Sequence, residues 1–199
     1  MTRVVALFVG LQCVAAPTAW PAGPIAQGEA VGRCEGLEDS RDEAVVKRDY
    51  KRLESLAHTY IEECRAVREK DAIAIAMGEV AFVSRANKDW LQALNQAQAC
   101  INFHYMAVEC HAEKAMALMG LRMPREADEV VKTGYDVADR AQAQADHEIR
   151  TAEGRRVNMS GKEYEGRVAL ARWRLNVIAD GRNSLRQIEN QLKAAGGNR

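Results

Sequence analysis

Apolar residues return at helical spacing along most of the chain. Between Asp42 and about Glu69 they fall at Val45, Val46, Leu53, Leu56, Ala57, Tyr60, Ile61, Cys64 and Val67, the recurrence expected of helix with one buried face. A second helix is expected from Asp71, carrying Ile73, Ile75, Met77, Val80, Ala81 and Val83. Asn87-Lys88-Asp89 reads as a turn that offers a cap to a third helix, from Trp90 to about Ile101. A fourth spans Tyr105 to Met119, with Gly120 expected in the left-handed capping position. Pro124 suits the first turn of a fifth, which reaches about Thr151. Residues 152–162 read as a loop. A last helical region, 163–195, holds Val168, Ala171, Leu175, Ile178, Leu185, Ile188 and Leu192, and Asp180-Gly181 is expected to split it. Residues 23–39 are Gly-rich and read as a flexible leader, with Ser40 and Glu43 placed as a capping box after it. No segment sustains strand alternation. The expectation is an all-α chain, an antiparallel helix-hairpin array over 40–151 with C-terminal capping helices over 163–195.

The first residues break this pattern. Arg3 precedes an apolar run from Val4 to Ala16, too short to span a bilayer. Small residues and prolines follow, up to Pro24. This is the order of a secretory signal peptide, placed at 1–22. Beyond it no apolar stretch is long enough to cross a membrane, so the expected location is secreted or periplasmic, with no stable membrane span after removal of the signal. Apolar residues make up 47% of the chain and charged residues 28%, and the net charge is zero. No global field therefore points to nucleic acid. Charge is uneven, with bases in excess after Glu148 and acids before it.

Export changes how the cysteines read. Without Cys13, four remain: Cys34, Cys64, Cys100 and Cys110. In an oxidising compartment these are disulfide candidates. One continuous helix would hold Cys100 and Cys110 ~15 Å apart, beyond the ~7 Å reach of a disulfide. A break near Asn102-Phe103 would let them meet on facing helices. The favoured pairing is then Cys100–Cys110 with Cys34–Cys64; the alternative is four buried thiols serving as small apolar residues.

Internal similarity carries further information. Lys88-Asp89-Trp90 and Arg48-Asp49-Tyr50 each place a base, an aspartate and an aromatic before a helix, and Met123-Pro124-Arg125 has the same shape. Small residues recur 34 positions apart: Ala93 and Ala127, Ala81 and Ala115, Cys100 and Gly134. That pattern, over about 71–140, resembles the tetratricopeptide repeat. The resemblance implies structural roles for Trp90, Ala93 and Cys100 in one unit and for Ala115, Ala127 and Gly134 in the next. It departs from the family in lacking the Leu-Gly pair at the aligned place and in a first interval, Leu53 to Ala93, of 40 residues.

The resemblance also implies a groove that binds another protein. Glu79, Asn95 and Lys114 are its candidate contacts. Arg172-Trp173-Arg174 forms a separate basic-aromatic candidate, because Trp and Arg dominate interface energetics. Catalytic signatures are missing: no His-Glu-x-x-His, no phosphate loop and no nucleophile elbow. The grouping of Cys100, His104, Cys110 and His111 matches no zinc spacing, and no cofactor or metal is expected. The reading is an exported, non-enzymatic protein-binding module with an unknown protein partner. A disulfide-stabilised structural or envelope-assembly bundle, as a homodimer through the C-terminal helices, is the first alternative; a metal-binding helical protein is the second.

Overall fold

The computed structural model describes residues 24–196; the expected signal segment and Cys13 lie outside them. The described residues form seven α-helices and one short 3₁₀ turn, with no strand among them. The helices are α1 (Pro24–Lys47), α2 (Tyr50–Cys64), α3 (Lys70–Ala86), α4 (Trp90–Phe103), α5 (Val108–Gly120), α6 (Pro124–Gly154) and α7 (Gly161–Gly196). Each helix packs against the next in sequence, and α3, α5 and α7 also touch in alternate order.

The α1–α2, α3–α4 and α5–α6 connections share one geometry. Arg48, Lys88 and Arg122 occupy the left-handed region, with φ of 55°, 63° and 62°. The residue after each donates its amide N–H back across the turn, Asp49 to the Ala44 carbonyl, Asp89 to Ser84 and Met123 to Leu118. The left-handed residue itself donates to Val45, Arg85 or Met119. This is the Schellman closure, which satisfies carbonyls left open at a helix end. Asp49 and Asp89 then cap the following helix, accepting from the Arg52 and Gln92 amides at 3.1 Å. At the third turn Met123 makes no side-chain cap, and Pro124 at the first helical position lacks the amide that would need one. The first interval between these turns is longer mainly because α3 has 17 residues where α5 has 13.

Small residues mark close approaches. Ala81, Ala93, Ala115 and Ala127 are fully buried. A Cβ on Gly134 would lie 2.9 Å from the Leu185 methyls. Gly120 is the last residue of α5 and not the left-handed cap expected of it; that place belongs to Arg122. Glycine stands there because the Trp90 ring lies against it, 2.2 Å from where a Cβ would be.

Four expectations about element boundaries are corrected. The leader at 23–39 is helical from Pro24, and Ser40 lies inside α1, its hydroxyl donating to the Gly36 carbonyl. The stretch 42–69 is broken by the turn at Arg48-Asp49. Asp180-Gly181 does not split α7, because glycine interrupts neither its hydrogen bonds nor its phase. Gly181 instead meets α5, where a Cβ would come within 2.8 Å of two Val108 carbons. The loop at 152–162 is shorter than expected, with α6 continuing to Gly154 and α7 starting at Gly161, where Ser160 accepts from the Glu163 amide.

The cysteines pair as favoured. Cys34–Cys64 ties α1 to the end of α2, with Cα atoms 5.8 Å apart. Cys100–Cys110 ties α4 to α5 at 6.1 Å. The second is permitted by the helix break, since His104 is extended at φ −143° and ψ 94°. The largest core cluster joins α5, α6 and α7 through Val108, Val131, Val137, Ile178, Leu185 and Ile188. A second joins α1, α2 and α3 around Tyr60, Ile73 and the Cys34–Cys64 pair. No helix of the described residues is long and apolar enough to cross a membrane.

Candidate binding clefts beside α7

Toward its C-terminal end α7 buries Leu185 and Ile188 against α5 and α6. Nearer its start it faces α3 and α1 across two adjoining hollows that share Glu69 and Trp173. The first, a cleft of about 190 Å³, lies among the starts of α3 and α5, the α4–α5 joint, α6 and α7. Its apolar wall comes from Met106, Val108, Ala141, Ala145, Val177 and Ile178. The second, a groove of about 320 Å³, has Leu170 and Trp173 of α7 on one side and Arg41, Tyr60, Ala72 and Ile75 on the other.

Arg174 organises the cleft. Its Nε donates to Asp71 at 2.7 Å and its Nη1 to Glu148 at 2.6 Å. Glu69 lies 3.6 Å from its other nitrogen. Asp71 also meets His104 Nε2 at 2.7 Å. One guanidinium thus links α3, α6 and α7, and the histidine adds the α4–α5 joint. Burial pushes the Asp71 carboxyl up, but the hydrogen bonds from His104 and Arg174 outweigh it and hold it below the ordinary carboxylate range.

Glu109, in the first turn of α5, also lines the cleft but takes no part in this linkage. Burial pushes its carboxyl up to about 7, against the opposing effect of its own amide N–H; the Asp71 charge raises it further and His104 lowers it. The Glu109 stem runs past Gly78 of α3, where a Cβ would lie in ordinary contact at 3.5 Å from Glu109 Cγ.

The groove is held by ion pairs that dock α1. Arg41, almost fully buried, donates to Glu79 at 2.7 Å and stacks 4.4 Å over the Tyr60 ring. The Tyr60 hydroxyl donates to Glu38, which also receives Arg68 at 3.1 Å.

The structure distributes the residues singled out in the sequence. Trp173 lines both hollows, and Arg174 lies in the cleft. Arg172 is exposed outside them. Glu79 is committed to Arg41 beneath the groove. Asn95 and Lys114 share a shallow surface of α4, α5 and α6, where Lys114 donates to Gln98 at 2.7 Å. Of the cysteines and histidines weighed as metal ligands, Cys100 and Cys110 are joined to each other and His104 holds Asp71. His111 is buried against the Tyr105 carbonyl, and burial lowers its basicity. Among the described residues no group of side chains is arranged to hold a metal ion.

Asp71 and Glu109 were not visible as site residues. Each is an acid in the first turn of a helix, which the helix dipole favours anywhere. Nothing local distinguishes them from ordinary helix starts. No protein-family model matches the chain, and no curated protein matches it either.

Proposed function

We propose that the chain is an exported, tetratricopeptide-like helical-repeat module that holds a segment of another protein in the groove between α1, α3 and α7. The observation that carries this reading is the groove itself. It is open, bounded by alternate helices of the array, and presents Trp173 at its mouth, 36% exposed. An apolar side chain of a partner would seat between Trp173, Leu170 and Ile75. Arg41 is paired with Glu79 and Arg68 with Glu38 within the chain, so closure would bury few unpaired charges, while the buried Arg68 Nε has no partner among the described residues. The recurrent turn supports the repeat assignment, because the same backbone closure sits at all three hairpins and the same aspartate cap at two of them. The paired cysteines support export.

The test is site-specific photocrosslinking in the native host. A benzoyl-phenylalanine at Leu170 should give a reproducible adduct with one other protein, and one at Val157, 90% exposed on the α6–α7 joint, should not. Trp173→Ala should abolish the Leu170 adduct. Adducts only between copies of this chain would refute the reading in favour of a structural oligomer.

A further inference from the structure

We propose that the cleft around Glu109 binds an organic cation, a primary ammonium carried on a short apolar stem. This assignment is independent of the groove reading and would stand if the chain had no protein partner.

Charge within the cleft is unevenly distributed. Arg174 is shared among Asp71, Glu148 and Glu69, and His104 is directed at Asp71. Every fixed cation on the cleft wall except the exposed Lys70 is therefore already engaged. Glu109 forms no ion pair among the described residues, and its carboxylate is backed only by its own amide N–H. Three acids and three bases line the cleft, and half-buried Glu109 is the acid among them without an ion pair. Such a carboxylate costs stability whenever it is ionised. A sequence that retains such a group where glutamine would fit is spending stability on something other than the fold.

The shape of the cleft fits the same ligand. Val108, Ala145, Val177 and Ile178 provide an apolar wall for methylenes. Trp173 lines the same cleft, and tryptophan is the ring type that best attracts a cation. A dry apolar cavity of about 150 Å³ accommodates a molecule the size of benzene, so about 190 Å³ suffices for an alkylammonium. Gly181 lets α7 approach the start of α5, since a Cβ there would lie 2.7 Å from Val108 Cγ1 and 3.3 Å from the Glu109 amide nitrogen. The ammonium can come from a free amine or from a lysine side chain presented by a polypeptide.

Calorimetric titration of the intact chain with four probes tests this. Pentylammonium and Nα-acetyl-lysine methylamide represent the two sources; 1-pentanol and pentanoate share the stem without the positive charge. Saturable binding is expected for at least one ammonium, with the indole N–H resonance of Trp173 shifting in parallel. Binding should be about tenfold or more weaker for pentanol and pentanoate, and should fall by a similar factor in Glu109→Gln. Tighter binding of pentylammonium assigns the site to a small amine, and tighter binding of the lysine derivative to a presented side chain. The proposal is overturned if neither ammonium saturates, if pentanol binds equally well, or if Glu109→Gln binds as wild type. Circular dichroism of the Gln variant checks that the fold is intact.

Discussion

Helix α1 depends on its disulfide more than any other element, and removing that bond gives a quantitative prediction. Its inward stripe is Cys34, Leu37, Arg41 and Ala44, of which only Leu37 is a large apolar residue. Its outward side carries Gly28, Gly32 and Gly36, none with a neighbour within 4 Å of a built Cβ. Each glycine costs about 1 kcal/mol of helix stability relative to alanine. Cys34 and Cys64 are 30 positions apart, and cross-linking a loop of that length stabilises by about 3.7 kcal/mol through the unfolded chain. In a Cys34→Ala/Cys64→Ala variant α1 should therefore open by itself. Hydrogen exchange read by mass spectrometry should show protection of 24–47 falling by roughly a few hundredfold, the equivalent of that energy. Amides of α5 to α7, which share a separate apolar core, should keep their protection. Unchanged exchange in α1 would refute the reasoning, as would equal loss in α5 to α7. The Cys100–Cys110 loop is only 10 positions long, so the corresponding variant should lose about 2.8 kcal/mol, with the effect centred on α4 and α5.

Glycine-to-alanine substitution should change sign between two helices. Gly32→Ala, in open space, should raise stability in urea denaturation by about 0.5–1 kcal/mol. Gly181→Ala, pressed against the stiff Val108 side chain, should lower it by about 1–3 kcal/mol, and a gain there would contradict the close crossing of α5 and α7. Glu109→Gln should be more stable than wild type by roughly 2–3 kcal/mol at pH 8 and no different at pH 4. The sign follows from a folded pKa of about 7, above the ordinary 4.5 of a glutamate: the folded state holds the proton more tightly, so wild-type stability falls as pH rises between the two. Asp71→Asn should act oppositely, destabilising at neutral pH and losing its effect in acid, because the Asp71 carboxyl is held low by His104 and Arg174; chemical denaturation across pH distinguishes the two.

Much of the array was legible because helix boundaries depend on local chemistry. Asp89, Pro124 and the 34-residue recurrence of small residues place two of the three hairpin turns. Helix rise showed that Cys100 and Cys110 could meet only if the helix broke near Phe103; the choice of this pairing over the other two did not follow from the rise, and the structure bears it out. Helix α1 was not legible, because it buries an arginine and a cysteine where an amphipathic pattern needs leucines, and its glycines imitate a linker. Gly120 and Gly181 were misread for a related reason. Glycine is expected where the backbone turns, but at these positions it serves a neighbour, Trp90 or Val108, that no local window contains. The cleft was least visible. Its residues come from around 69–71, 104–109, 141–148 and 173–178, and only the packing of α7 across α3 and α5 brings them together.

The recurrent turn has a consequence for how this chain can change length. Asp49 and Asp89 each finish one helix through the amide and begin the next through the carboxylate. One inserted residue would separate those two duties and leave both helix ends open at once. These two turns are therefore rigid punctuation, closed to insertion and deletion. The joints at 65–69, 104–107 and 155–160 use no such double-duty residue, and whole helical turns can be added inside a helix, as the longer α3 illustrates. Divergent copies of this chain should accordingly vary in length at the joints and within helices, while the spacing from the left-handed residue to the next helix stays fixed.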